Sequence, residues 1–101
     1  GPVVEAASRF PSLTEDFAIV VNETTPAAAI EAVLQRPGLV DGVELFDVYR
    51  GDQIAAGKKS LAYRVSYRAR DRTLTDKDVA KVRKGIVRQL DRDLGASIRE
   101  G

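Results

Sequence analysis

Neither cysteine nor histidine occurs in this 101-residue sequence. Disulfides, thiolate nucleophiles and the usual zinc sites are thereby excluded. The commonest general base is also missing, so any acid–base chemistry would fall to carboxylates, lysine or tyrosine. A chain without cysteine suits a reducing cytoplasm, the expected location. No apolar run approaches the roughly 20 residues that a transmembrane helix needs, and no membrane contact is expected. Gly1-Pro2-Val3-Val4 lacks the basic and long apolar regions of a signal peptide. Residues 1–8 read as a linker or cloning remnant and residues 9–101 as one domain. A strong charge of either sign is lacking too: the net charge is +1, which argues against a strong nonspecific nucleic-acid binder.

What is present is ordinary globular material, 44% hydrophobic and 31% charged. The length suits one domain with a single two-layer core. The charge is unevenly placed. Three arginines and no lysine precede Gly51, against eight acids, whereas 13 of the 16 basic residues and seven of the 15 acids follow it. A basic second half is compatible with a local anionic partner.

Pro11 to Val21 reads as a lead-in and a strand, with Phe17, Ile19 and Val21 on one face. Thr25 is placed to cap a helix with Pro26 at its first position. Ala29, Ile30, Val33 and Leu34 recur at helical spacing before Pro37-Gly38 ends the segment. Val40 to Tyr49 is a second strand, followed by a turn at Arg50-Gly51-Asp52. In the third strand, Lys58 to Ala69, Leu61, Tyr63, Val65 and Tyr67 alternate with Ser60, Ala62, Arg64, Ser66 and Arg68. Thr75-Asp76-Lys77-Asp78 has the form of a capping box, with Asp76 and Asp78 at the positive end of the helix dipole. Val79, Val82, Ile86 and Leu90 follow as a buried stripe, Gly95 as the stop, and Ala96 to Arg99 as a short last strand. The order βαββαβ predicts an α+β, ferredoxin-like plait: a four-stranded antiparallel sheet with both helices on one face.

Such a plait leaves the other sheet face open. With Leu61, Tyr63 and Ile98 inward, Ser60, Ala62, Arg64, Ser97 and Arg99 face outward. With Phe46 and Val48 inward, Asp47 and Tyr49 join them. Strict alternation would then bury Glu44 and expose Leu45, so a β-bulge near Glu44–Leu45 is expected. A face of hydroxyls, guanidinium groups, one carboxylate and one ring suits single-stranded RNA, whose unpaired bases stack on rings or guanidinium planes while side chains read their edges. Each feature also has a plain structural use, as wet sheet surface, edge lysines or helix cap. The fold alone names no function. Two other classes compete. A small regulatory or metabolite-binding plait would pair with a second copy, and an enzyme could nominate only Asp47 with Lys58. Gly57-Lys58-Lys59-Ser60 is no phosphate loop, because its glycine spacing is wrong and it opens no helix. Asp76 and Asp78 read as a cap rather than a metal site.

Three blocks in order carry a resemblance: Phe46-Asp47-Val48-Tyr49-Arg50-Gly51, Gly57-Lys58-Lys59-Ser60-Leu61-Ala62 and Arg72-Thr73-Leu74-Thr75-Asp76. Together with Pro11-Ser12, Asp16-Phe17-Ala18, Leu94-Gly95-Ala96 and Ile98-Arg99, they make residues 9 to 99 resemble the ferredoxin-fold anticodon-binding domain. That family is found at the C-terminus of bacterial phenylalanine–tRNA ligase β subunits. The resemblance implies a non-catalytic module whose partners are the anticodon arm of tRNA(Phe), the remainder of the β subunit, and the α subunit of an (αβ)₂ enzyme. No cofactor is implied for this domain itself; ATP and magnesium are implied for the parent enzyme. Carried over by position, Asp47, Tyr49, Ser60 and Arg99 would contact RNA, Tyr49 by stacking and Asp47 and Ser60 by hydrogen bonds. Arg99 would meet a base edge or phosphate, and Lys58 and Arg64 would be auxiliaries. One departure is that Glu15-Asp16 stands where the family commonly has Arg-Asp just before the first strand.

Overall fold

Alternation in the chain's third strand organises the molecule. A computed structural model describes residues 10–99, so the expected linker at residues 1–8 lies outside the described residues. The elements are β1 (Leu13–Asn22), α1 (Ala27–Leu34), β2 (Val40–Tyr49), β3 (Lys58–Tyr67), α2 (Asp76–Leu94) and β4 (Ser97–Arg99). They form one antiparallel sheet of order β2-β3-β1-β4 with two helices, the predicted ferredoxin-like plait. Strand β3 ends two residues before the predicted Ala69. Beyond Tyr67 the Arg68 amide donates to the Leu39 carbonyl, outside the ladder.

Leu61, Tyr63, Val65 and Tyr67 of β3 are buried as their spacing requires. Phe17, Ile19 and Val21 of β1 lie beside them, and Ile30, Val33 and Leu34 of α1 with Val79, Ile86 and Leu90 of α2 close the layer. Burying such side chains supplies most of the stabilisation of a domain this small. Two phenol groups enter this core with partners. The Tyr63 hydroxyl donates to Glu31 Oε2 at 2.9 Å, and the Tyr67 hydroxyl to Glu15 Oε1 at 3.0 Å. Burial, then the neighbouring carboxylate, pushes both phenols well above their ordinary value.

Glu15 is the residue whose placement the sequence concealed. The Glu15-Asp16 pair lies inside β1, not ahead of it, and Glu15 opposes Val65 on the helix-facing side. It is held there by the Tyr67 hydroxyl and by a two-pronged contact from Arg83 of α2. An inward carboxylate is tolerable when charge and hydrogen bonds meet it.

Thr25 does not cap α1. Its amide closes a turn onto Asn22, and Pro26, with extended backbone (φ −72°, ψ 147°), takes the cap position without a side-chain bond. The second helix starts as predicted. The Asp78 amide donates to Thr75 Oγ1 at 3.2 Å, and the Thr75 amide returns a bond to Asp78 Oδ2 at 2.9 Å. Gly95 ends the helix at φ 57°, a left-handed geometry that glycine adopts without steric cost.

Replacing Thr75 with Ala is expected to destabilise the domain by about 1 kcal/mol in urea titrations. The same cap sets a pH dependence. Hydrogen bonds from the Thr75 backbone, then its side chain, hold the Asp78 carboxyl below its ordinary 3.8. A depressed carboxyl contributes stability above that value and loses it as pH falls through the folded-state pKa. Asp78→Asn should therefore be less stable than the parent at neutral pH, and the difference should shrink as pH falls below the ordinary carboxyl range, where protonation removes the same contribution.

Candidate functional site

Residues opposite each other in an antiparallel ladder project to the same side of the sheet. The open face can therefore be read in rows. Tyr49 of β2 lies opposite Ser60 of β3, Ser60 opposite Val20 of β1, and Val20 opposite Ser97 of β4. The next row is Asp47, Ala62, Ala18 and Arg99. The third is Glu44, Arg64 and Asp16. Lys58, opposite Asn22, stands at the other end, beyond Ser60.

Asp47 and Tyr49 reach this face because β2 carries an extra residue. The bulge falls between Leu45 and Asp47, not at the expected Glu44–Leu45: Leu45 opposes Tyr63 and Asp47 opposes Ala62, which leaves Phe46 unpaired. Leu45 therefore keeps the helix-side position that Phe46 was expected to occupy. The Phe46 ring lies on the open side, 5.3 Å from the Arg64 guanidinium carbon, and Phe46 is 49% exposed. Val48 does oppose Leu61 on the helix side but is 43% exposed, because the helices leave edge strand β2 largely uncovered. Phe46 and Val48 are thus not core residues. A second register shift lies between Val40 and Gly42, so Asp41 is also unpaired in the ladder, and its carboxylate meets Arg68 at 3.5 Å.

The four principal residues from the sequence come together in two adjacent rows. The Arg99 guanidinium reaches across the sheet to lie 5.5 Å from the centroid of the Tyr49 ring, a cation–π contact. Its terminal N–H donates to Gln53 Oε1, in the β2–β3 turn. Ser60, beside Tyr49, is only 4% exposed although it lies on the open side. The Tyr49 phenol packs over Gly51 so closely that a Cβ there would push it aside, so glycine lets the ring lie in this position. Small side chains at Ala18 and Ala62 leave the middle of the Asp47–Arg99 row low.

The two auxiliaries are engaged with neighbours. Lys58 donates to Asn22 Oδ1 at 2.9 Å. Arg64 makes a paired contact with Asp16, at 3.0 and 3.1 Å. That bond holds the Asp16 carboxyl below its usual value and raises the guanidinium further. Arg64 is thus balanced by Asp16, with Glu44 on its other side, and contributes planar surface over Phe46 more than free charge. Sequence reasoning missed Phe46 and Gln53. The adjacent apolar pair Leu45-Phe46 was the signal for Phe46, since only one member of such a pair can face inward without a bulge. Gln53 carried no signal, because a turn glutamine has no periodicity.

The face is broad and shallow, with ring and guanidinium planes lying on it and hydrogen-bonding groups between them. It suits flat, hydrogen-bonding partners such as unpaired bases. A model of the ferredoxin-fold anticodon binding domain matches residues 8–99. Among similar proteins, a phenylalanine–tRNA ligase β subunit from Syntrophotalea carbinolica is 50% identical over 93% of the chain. One from Moorella thermoacetica is 46% identical over 98%, and one from Clostridium acetobutylicum 40% identical over 94%. The chain spans 12–13% of the length of these relatives. Fold, strand order and sequence together place the chain in the ferredoxin-fold anticodon-binding domain family.

Proposed function

We propose that this chain is the anticodon-binding module of a phenylalanine–tRNA ligase β subunit and that its open sheet face receives the anticodon stem-loop of tRNA(Phe). The observation that carries this reading is the convergence of Asp47, Tyr49, Ser60 and Arg99 on two neighbouring rows of one face. Tyr49 supplies the stacking plane. Asp47 accepts from a base amino or imino group, or from a ribose hydroxyl. Ser60, shielded beside the ring, bonds to whatever stacks there. Arg99 exchanges its place over Tyr49 for a base and turns to a base edge or a phosphate, while Lys58 meets a phosphate at the end of the face. Arg64 remains over Phe46 as a second plane.

In this reading the chain performs no bond chemistry. Joining phenylalanine to tRNA, with ATP and magnesium, belongs to the α subunit of the parent enzyme, and the remainder of the β subunit positions the module. Affinity of the module alone is weak, because it supplies one patch of a larger interface. Acids near the site (Asp16, Glu44 and Asp47) repel phosphates that enter at the wrong place and so favour discrimination over raw attraction.

The test is a titration of the 101-residue chain with a labelled anticodon stem-loop at one fixed salt concentration. Tyr49→Ala is expected to lose about 1–3 kcal/mol of binding free energy, the contribution of one base–aromatic stack. Binding equal to the parent would remove Tyr49 from the interface. Gly51→Ala acts on the same ring without removing it. The new methyl group should push the phenol off its seat, seen as shifted Tyr49 ring-proton resonances in an otherwise native spectrum, and should weaken stem-loop binding.

A further inference from the structure

Helix α2 turns two unlike faces outward and inward. Val79, Ile86 and Leu90 are buried against the sheet. On the opposite side Lys77, Lys81, Lys84 and Arg88 follow one another at steps of four, three and four residues, all exposed. At 3.6 residues per turn these positions fall in one narrow strip, about 16 Å long at 1.5 Å per residue. Among the described residues none of the four forms a salt bridge. By contrast Arg36, Arg50, Arg64, Arg68, Arg72, Arg83 and Arg92 each have a carboxylate partner. Asp78 stands beside Lys77, but its carboxylate is engaged in the Thr75 cap.

The strip costs the helix something. Each neighbouring pair, three or four residues apart, is a like-charge pair, which disfavours helix formation. A merely solvated face would serve better with alternating signs, as in the Asp91-Arg92-Asp93 segment of the same helix. Four cations repeating once per helical turn suit a repeating line of single negative charges. Three of the four are lysines, flexible point charges that fit phosphate without demanding a fixed geometry. The acids of the open sheet face lie on the other side of the domain, so the two surfaces differ in charge as well as in position.

We infer that the outer face of α2 is a second nucleic-acid contact, which takes the phosphodiester backbone of an RNA without reading its sequence. It differs from the sheet face in the chemistry it recognises: phosphate charge there, and base planes and edges on the sheet. It does not rest on the sheet-face reading and stands or falls separately.

The test uses the 101-residue chain, isotope-labelled, and a short duplex RNA with no single-stranded loop. At low salt, amide resonances along Lys77–Arg88 are expected to move on titration. The double variant Lys81→Glu/Lys84→Glu should bind the duplex about tenfold more weakly, and its slope of log affinity against log salt should be shallower by roughly two. Circular dichroism and urea midpoints confirm that the variant is folded, and Lys81→Gln/Lys84→Gln replaces it if not. Resonance changes confined to the Ser60–Arg64 face, or an unchanged affinity and slope in the folded variant, would overturn the inference. So would polyglutamate moving the same amides as strongly as RNA at equal ionic strength, because the surface would then be a dock for an acidic protein.

Discussion

One unpaired residue in β2 sets what the open face presents. Side chains alternate with a period of two, so a strand displaced by a single position exchanges its faces throughout. Between Leu45 and Asp47 the extra residue Phe46 makes that exchange within the strand. Before it, Val43 and Leu45 face the helices; after it, Asp47 and Tyr49 face away. Without the bulge, Asp47 and Tyr49 would turn toward the helix layer and the opposite face would lose its ring and its carboxylate. The long pairing of β3 with β1, ten residues in unbroken register, gives β2 a fixed template against which this shift is defined. The second shift at Asp41 twists the start of the same edge strand, a common use of bulges at sheet margins.

The same constraint separates what could be read in the sequence from what could not. Features determined within a few residues were legible. The Thr75–Asp78 cap, the Gly95 stop and the alternation of β3 depend on neighbours in the chain, and each is found as expected. The need for a bulge in β2 was legible from Glu44, whose burial would have been untenable. Its position was not, because the choice between Leu45 and Phe46 is made by Tyr63 across the ladder. Glu15 eluded the sequence for a related reason. A carboxylate on the core side of β1 makes sense only once Tyr67 and Arg83, 52 and 68 residues away, are seen to meet it. Thr25 illustrates the reverse error: a local signal was present, but the turn at Asn22–Thr25 used its backbone first. In the site itself the outward residues were legible by parity. Their mutual contacts were not, since Arg99 must cross three strand spacings to lie over Tyr49.

Charge on this domain is sorted by surface. On the sheet, the exposed arginine Arg64 is matched by Asp16, and recognition there would proceed through planes and hydrogen bonds. On the outer face of α2, Lys77, Lys81, Lys84 and Arg88 form no salt bridge among the described residues, while Arg83 and Arg92 of the same helix are paired. A regulatory plait that closes on a second copy would need no such sorting, and family membership points away from that alternative. Under the two proposals made above, the domain would have two separable levers: one that responds to the identity of a base and one that responds chiefly to ionic strength.

The tyrosines have a practical consequence. The chain has no tryptophan and three tyrosines, so phenols dominate its near-ultraviolet fluorescence. Tyr63 and Tyr67 each donate a hydrogen bond to a carboxylate, and such a partner quenches phenol emission by accepting the proton in the excited state. Tyr49 has no carboxylate bond among the described residues and lies on the open face under Arg99. The folded domain should therefore emit mainly from one ring, at the centre of its candidate site, so a base stacking there would change that emission with no label attached.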